Sequence, residues 1–124
     1  MDQLTLNRLN QKQAMIDLRY AMFGNYLCDL CREQPGTQMH EIISRRYTVK
    51  QPEIRLLSFQ VEICSLLCPF CHGTKAETRQ GRMKLVEFNI SLYGKDRFLK
   101  ALYSIPEKYW ERLIDLSAWK DADG

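Results

Sequence analysis

Cys28-Asp29-Leu30-Cys31 and Ser65-Leu66-Leu67-Cys68-Pro69-Phe70-Cys71-His72 are the two stretches on which the fold turns. Thiolates two residues apart project from a tight knuckle and grip one side of a tetrahedral zinc ion; a second knuckle completes the shell. The alternatives are four incidental thiols or a redox motif of thioredoxin type. A redox motif needs one Cys-x-x-Cys between a strand and a helix and leaves the other pair unexplained. The pattern therefore predicts a structural zinc site of Cys28, Cys31, Cys68 and Cys71, closed to water and to catalysis. Both histidines of the chain, His40 and His72, then remain for other work. The fifth cysteine, Cys64, lies in the apolar run Ile63 to Leu67 and reads as a small buried hydrophobe.

The chain has 124 residues, the length of one domain spanning 1–124, and 18 Lys and Arg against 15 Asp and Glu give it a net charge of +3. That mildly basic balance permits nucleic-acid binding without demanding it. The first residues, MDQLTLNRLNQKQ, lack the basic start and apolar core of a signal peptide, and no apolar stretch is long enough for a bilayer. A cytoplasmic chain with no membrane partner is the expectation, and in that compartment paired cysteines point to metal rather than disulfides.

Around the knuckles the patterning is mixed. Leu9, Ile16, Tyr20 and Phe23 recur at helical spacing, predicting a helix over about 9–23, capped by Asn7 or Asn10 and stopped by Gly24-Asn25. Gln34-Pro35-Gly36-Thr37 reads as a turn and Gln38 to Ile43 as a short strand carrying His40. Ser44 to Ser58, interrupted by Pro52, reads as an irregular loop. Val86, Phe88, Ile90 and Leu92 alternate with polar residues and predict the clearest strand of the chain. Phe98, Leu99, Leu102 and Tyr103 predict a helix, and Ser104-Ile105-Pro106-Glu107 opens another bearing Tyr109, Trp110, Leu113 and Ile114 on one face. Lys120 to Gly124 reads as a frayed end.

The string CDLC, then MHEIISRR, then SLLCPFCH resembles the HNH nuclease family, in its small phage and bacterial members with a zinc-ribbon version of the motif. The resemblance spans about Leu27 to Lys75. It implies an α+β fold: a small zinc-stapled ββα-metal core at about 27–80, with the N-terminal helix before it and a C-terminal strand plus helices over about 85–118 behind it. It also implies hydrolysis of DNA phosphodiester bonds with Mg²⁺ or another divalent cation as cofactor, a base activating water while the cation steadies the phosphate and leaving oxygen. Cys28, Cys31, Cys68 and Cys71 match the zinc ligands of such nucleases, and His72 matches the ligand of the catalytic cation.

The first motif position has two registers. One puts His40 in the metal slot and Glu41 in the base slot; the other makes His40 the base and leaves Met39, a poor ligand for a hard cation, in the metal slot. The middle asparagine of the motif is missing: none lies between His40 and His72, and Gln60 or Ser58 are the available substitutes. An inactive zinc-ribbon module binding DNA, or a phage or host protein, is therefore the alternative function. Arg45 and Arg46 behind the histidine strand, and Lys75, Arg79, Arg82 and Lys84 behind the second knuckle, would hold backbone phosphates or simply form a solvated face. Tyr47 reads as a stacking or packing residue, and Tyr109, Trp110 and Trp119 as packing residues.

Overall fold

Asp2 starts the first helix, its carboxylate accepting a hydrogen bond from the Thr5 N–H at 2.7 Å. The computed structural model describes residues 2–119, so the reading of Lys120 to Gly124 falls outside the described residues. Helix α1 (Gln3–Phe23) begins earlier than its apolar spacing suggests, because the cap is Asp2 rather than Asn7 or Asn10. It stops as expected at Gly24, whose φ of +74° only glycine adopts without strain. The helix buries little, its sequestered side chains being Met15 and Arg19. It is not long and apolar enough to cross a membrane, and neither is any other helix of the described residues.

The first knuckle follows. Arg32 takes a left-handed φ of +58°, and the Leu27–Pro35 bridge closes the hairpin around the cysteines. Gly36 lies against the second strand so closely that a Cβ there would meet the Leu66 Cβ at 2.9 Å. Strands β1 (Gln38–Glu41) and β2 (Cys64–Leu67) pair antiparallel, with Gln38 opposite Leu67, Met39 opposite Leu66, His40 opposite Ser65 and Glu41 opposite Cys64. Between them the predicted irregular loop contains two short helices, α2 (Arg45–Thr48) and α3 (Pro52–Leu57), the second with Pro52 in its first turn. A 3₁₀ turn at Val61–Ile63 leads into β2. The second knuckle runs directly into α4 (Pro69–Thr74), which packs on both strands.

Side chains alternate across the sheet, so its two faces differ. Met39, Cys64 and Leu66 point towards α1, where they form a small core with Met15 and Phe59. Leu67 joins the larger core, built with Ile42, Ile43 and Ile63 and with the C-terminal helices.

The C-terminal strand is corrected: Val86 to Leu92 lies in helix α5 (Arg79–Tyr93). Alternation and helical spacing share residues here, and burial decides between them. Leu85, Val86, Asn89 and Tyr93 are buried while Glu87 and Ser91 are exposed, which is one face of a helix. Thr78 caps it by accepting from the Gly81 N–H, and a Cβ on Gly81 would lie 1.9 Å from the Lys75 carbonyl oxygen. Helix α6 (Lys95–Tyr103) forms where predicted. The helix expected after Ser104 shrinks to a 3₁₀ turn at Glu107–Tyr109, and Trp110 is held there by its indole N–H on the Ile105 carbonyl.

One polar contact ties these layers together. Arg19, wholly buried, donates through Nε and Nη2 to both carboxylate oxygens of Asp29 at 2.9 and 2.7 Å. Asp29, inside the first knuckle, also accepts the Leu66 N–H and gives its own N–H to the Leu66 carbonyl. Burial works against the guanidinium charge, and Asp29 more than restores it, so Arg19 holds its proton more firmly than usual. Replacing Arg19 by Met strands the Asp29 charge and is expected to cost about 3–5 kcal/mol in urea unfolding. The double variant Arg19→Met/Asp29→Leu is expected to lose clearly less than the sum of the single losses; strictly additive losses would show that the pair is not a unit.

Candidate metal centre and histidine site

The Cys-x-x-Cys segments come together as their spacing predicts. The sulfur atoms of Cys28, Cys31, Cys68 and Cys71 all lie within 4.8 Å of one another, with Cys31 and Cys68 at 4.0 Å, so the four can hold a metal ion. Ligand distances of about 2.3 Å in a tetrahedron require sulfurs about 3.8 Å apart, which this cluster reaches by contracting about 1 Å at most. Both knuckles are pre-shaped by backbone bonds: the Arg32 N–H to the Cys28 carbonyl, and the His72 N–H to the Cys68 carbonyl. The thiols of the cluster differ in their surroundings. Burial, followed by the Cys68 neighbour, pushes Cys71 up to about 12, while the Glu33 and then the Gln34 N–H groups pull Cys31 down to about 7. A cation would settle all four as thiolates.

Beside the cluster the two histidines meet. His72 follows Cys71 in α4, and its ring stands edge-on to His40 of β1 with centroids 5.4 Å apart. Its Nδ1 lies 2.6 Å from the Gln38 Oε1. His40 is buried, and that burial, followed by electrostatic repulsion from its neighbours His72, Arg82 and Arg8, pushes its imidazole down to about 4. At neutral pH the His40 ring is uncharged, the state that can take a proton or offer a lone pair. Opposite it in the sheet, the Ser65 hydroxyl is buried and has no hydrogen-bond partner.

Glu41 is not brought to this point. Alternation turns it to the other face of the sheet, where its Oε1 lies 3.2 Å from Nη1 of Arg55. The contact is an ion pair without hydrogen-bond geometry, and both groups are nearly enclosed. Met39 shares that face and packs in the small core. His40 is thus the member of the Met39-His40-Glu41 triplet that faces His72.

The basic residues divide. Arg45, Arg46, Lys75 and Arg79 are exposed, Arg79 standing 4.0 Å from Asp115. Arg82 is buried, donates to the Glu77 carbonyl and carboxylate at 3.1 and 3.3 Å, and leaves its Nε without a partner. Lys75 sits over the ring of Phe70, which is 65 % exposed on α4. Arg46 lies over Tyr47 in the same manner.

The loop into β2 is ordered, and by a residue outside the motif. Asn89 of α5, fully buried, donates through its side-chain amide to the Glu62 and Cys64 carbonyls at 3.0 and 2.8 Å. Gln60 bonds Ser104 and the Leu57 carbonyl instead, and Ser58 closes α3 on the Arg55 carbonyl. Sequence reasoning missed Asn89 because it sat at a polar position of the supposed strand. Gln38 carried a usable signal, since it lies two residues before His40 and so on the same strand face. Arg8, which donates from α1 to the Met39 carbonyl at 2.8 Å, carried none.

Removing the Asn89 amide by Asn89→Leu is expected to cost about 1–3 kcal/mol in denaturant unfolding. Amide exchange should quicken at Ile42, whose N–H bonds the Ile63 carbonyl in that loop; unchanged exchange would show that the loop orders itself. Comparison with protein families, with curated proteins and with solved structures found no match to this chain.

Proposed function

We propose that the chain is a metal-dependent endonuclease of the HNH type, hydrolysing DNA phosphodiester bonds on a ββα-metal core made of β1, β2 and α4. The observation that carries this reading is the meeting of His40 and His72, from strand and helix, against a cysteine cluster able to hold a metal ion. The cluster's all-sulfur donor set suits zinc, which we assign as the structural ion.

A divalent cation bound at His72 would neutralise charge on the scissile phosphate and on the leaving oxygen. His40, neutral and enclosed, would take the proton of the attacking water or join His72 in holding the cation. Among the described residues the cysteines are the one set of three or more His, Cys, Asp or Glu side chains close enough to share an ion. A hard cation here would therefore complete its shell with water and phosphate oxygens, as Mg²⁺ commonly does. Lys75, Arg79, Arg45 and Arg46 hold backbone phosphates, and exposed Phe70 offers a ring face to a sugar or base. Asn89 takes the loop-ordering part that the absent motif asparagine leaves open.

A second reading, a DNA- or protein-binding module without turnover, is favoured by one feature: Glu41, in the base slot of one register, is turned away and tied to Arg55. Plasmid cleavage separates the two. Zinc-loaded protein with Mg²⁺ or Mn²⁺ is expected to nick or cut supercoiled DNA, and His40→Ala to lower the rate by about 10²–10⁴-fold. His72→Ala should abolish cleavage or raise the cation concentration it needs, while Glu41→Gln should keep most of the activity. DNA retention without cleavage under either cation would establish the binding module instead. Elemental analysis is expected to find one zinc per chain. Its removal by a chelator should abolish cooperative unfolding, and an unchanged transition would deny the ion a structural part.

A further inference from the structure

Gln38 belongs to none of the roles assigned so far, yet it makes the shortest polar contact of the histidine site. It lies two residues before His40 on β1, so strand alternation puts both on the face that α4 covers. Its Oε1 stands 2.6 Å from Nδ1 of His72. The His72 backbone is already fixed, because its N–H is bonded to the Cys68 carbonyl inside the knuckle. Which ring nitrogen keeps the proton is the chemical choice left to this residue. An amide oxygen can only accept, so in this arrangement Nδ1 carries the proton, and in the neutral ring Nε2 keeps its lone pair.

We propose that Gln38 is a positioning residue that holds His72 in the Nδ1–H tautomer, leaving Nε2 as the ligand atom for a divalent cation. The cation half rests on the nuclease reading; the tautomer half does not. A partner on the second nitrogen of a metal-bound imidazole is the general device that orients such ligands and raises their basicity. Here the partner is a neutral amide. It adds no charge beside the buried His40 ring. The contact would fail in one specific way: with its amide reversed, Gln38 would donate to Nδ1, and Nε2 would carry the proton and be closed to any cation.

The test uses the full, zinc-loaded chain labelled with ¹⁵N histidine. With two histidines in the sequence, H40N suffices to assign the ring signals. Long-range ¹H–¹⁵N correlation is expected to show Nδ1–H for His72 in the wild type and in Gln38→Glu, which keeps an acceptor. Gln38→Leu should lose this preference. Mn²⁺ affinity, read by its paramagnetic effect, should fall about 10–100-fold in Gln38→Leu and be retained in Gln38→Glu, at unchanged zinc content. A proton on Nε2 in the wild type overturns the proposal, and so does a Leu variant unaltered in both tautomer and Mn²⁺ affinity. Should Gln38→Leu lose its zinc and fold, the wild-type and Glu spectra decide. Absence of Mn²⁺ binding in a wild type that shows Nδ1–H defeats the cation half and the nuclease reading together, and leaves the tautomer assignment standing.

Discussion

Asp29 sits where every layer of the molecule needs it. It occupies the turn of the first knuckle, accepts both arms of Arg19 from α1, and pairs backbone and side chain with Leu66 of β2. Two residues beyond Leu66 the second knuckle begins, so anchoring Asp29 on the strand sets the two cysteine pairs against each other. The same strand carries β1 on its other side and thereby fixes the height of His40 opposite Ser65. A buried carboxylate is costly unless its oxygens are all answered. Here Arg19 and a backbone N–H supply the answers, and the cost of a misplaced Asp29 is what makes one arrangement preferred.

Metal centre and histidine site are thus two outputs of one frame. The cysteine cluster clamps the start of α4, and the residue after its last ligand is His72. The strand pairing brings His40 to the same spot from the other direction. Their surroundings differ in kind. The cluster is apolar and rich in thiols, suited to a soft, closed ion. The histidine side has a partly buried amide, an unpaired hydroxyl and the cationic neighbours Arg8 and Arg82.

Much of this was legible in the sequence, and unevenly so. The cysteine spacing predicted its cluster because ligand geometry is local: two residues between thiols is a property of a turn. His72 inherits its place from that turn. The first helix, the histidine strand and α6 follow from apolar spacing. The failures share a cause, which is dependence on distant packing. Val86 to Leu92 alternates well enough for a strand, but Leu85, Val86, Asn89 and Tyr93 find a core face, and the helix wins. Ser44 to Ser58 is polar and proline-broken, yet short helices form there with Thr48, Arg55 and Ser58 turned inward. The side of the sheet taken by Glu41 was beyond the motif alone, since either register keeps it adjacent to His40 in the chain. Alternation becomes decisive only once α4 is known to lie on the other face.

Asn89 gives the motif a boundary different from the one its letters draw. The stretch from Leu27 to Lys75 contains both knuckles and both histidines, and reads as a unit that could be lifted out and grafted elsewhere. It is not portable. Cut from α5, the Glu62 and Cys64 carbonyls at the mouth of β2 would face a void, and cut from α1, the Asp29 carboxylate would lose both its guanidinium bonds. The heritable unit of this fold is therefore the whole arrangement from α1 to α5, and substitutions in two helices that carry no motif letter can change the site as surely as those within it.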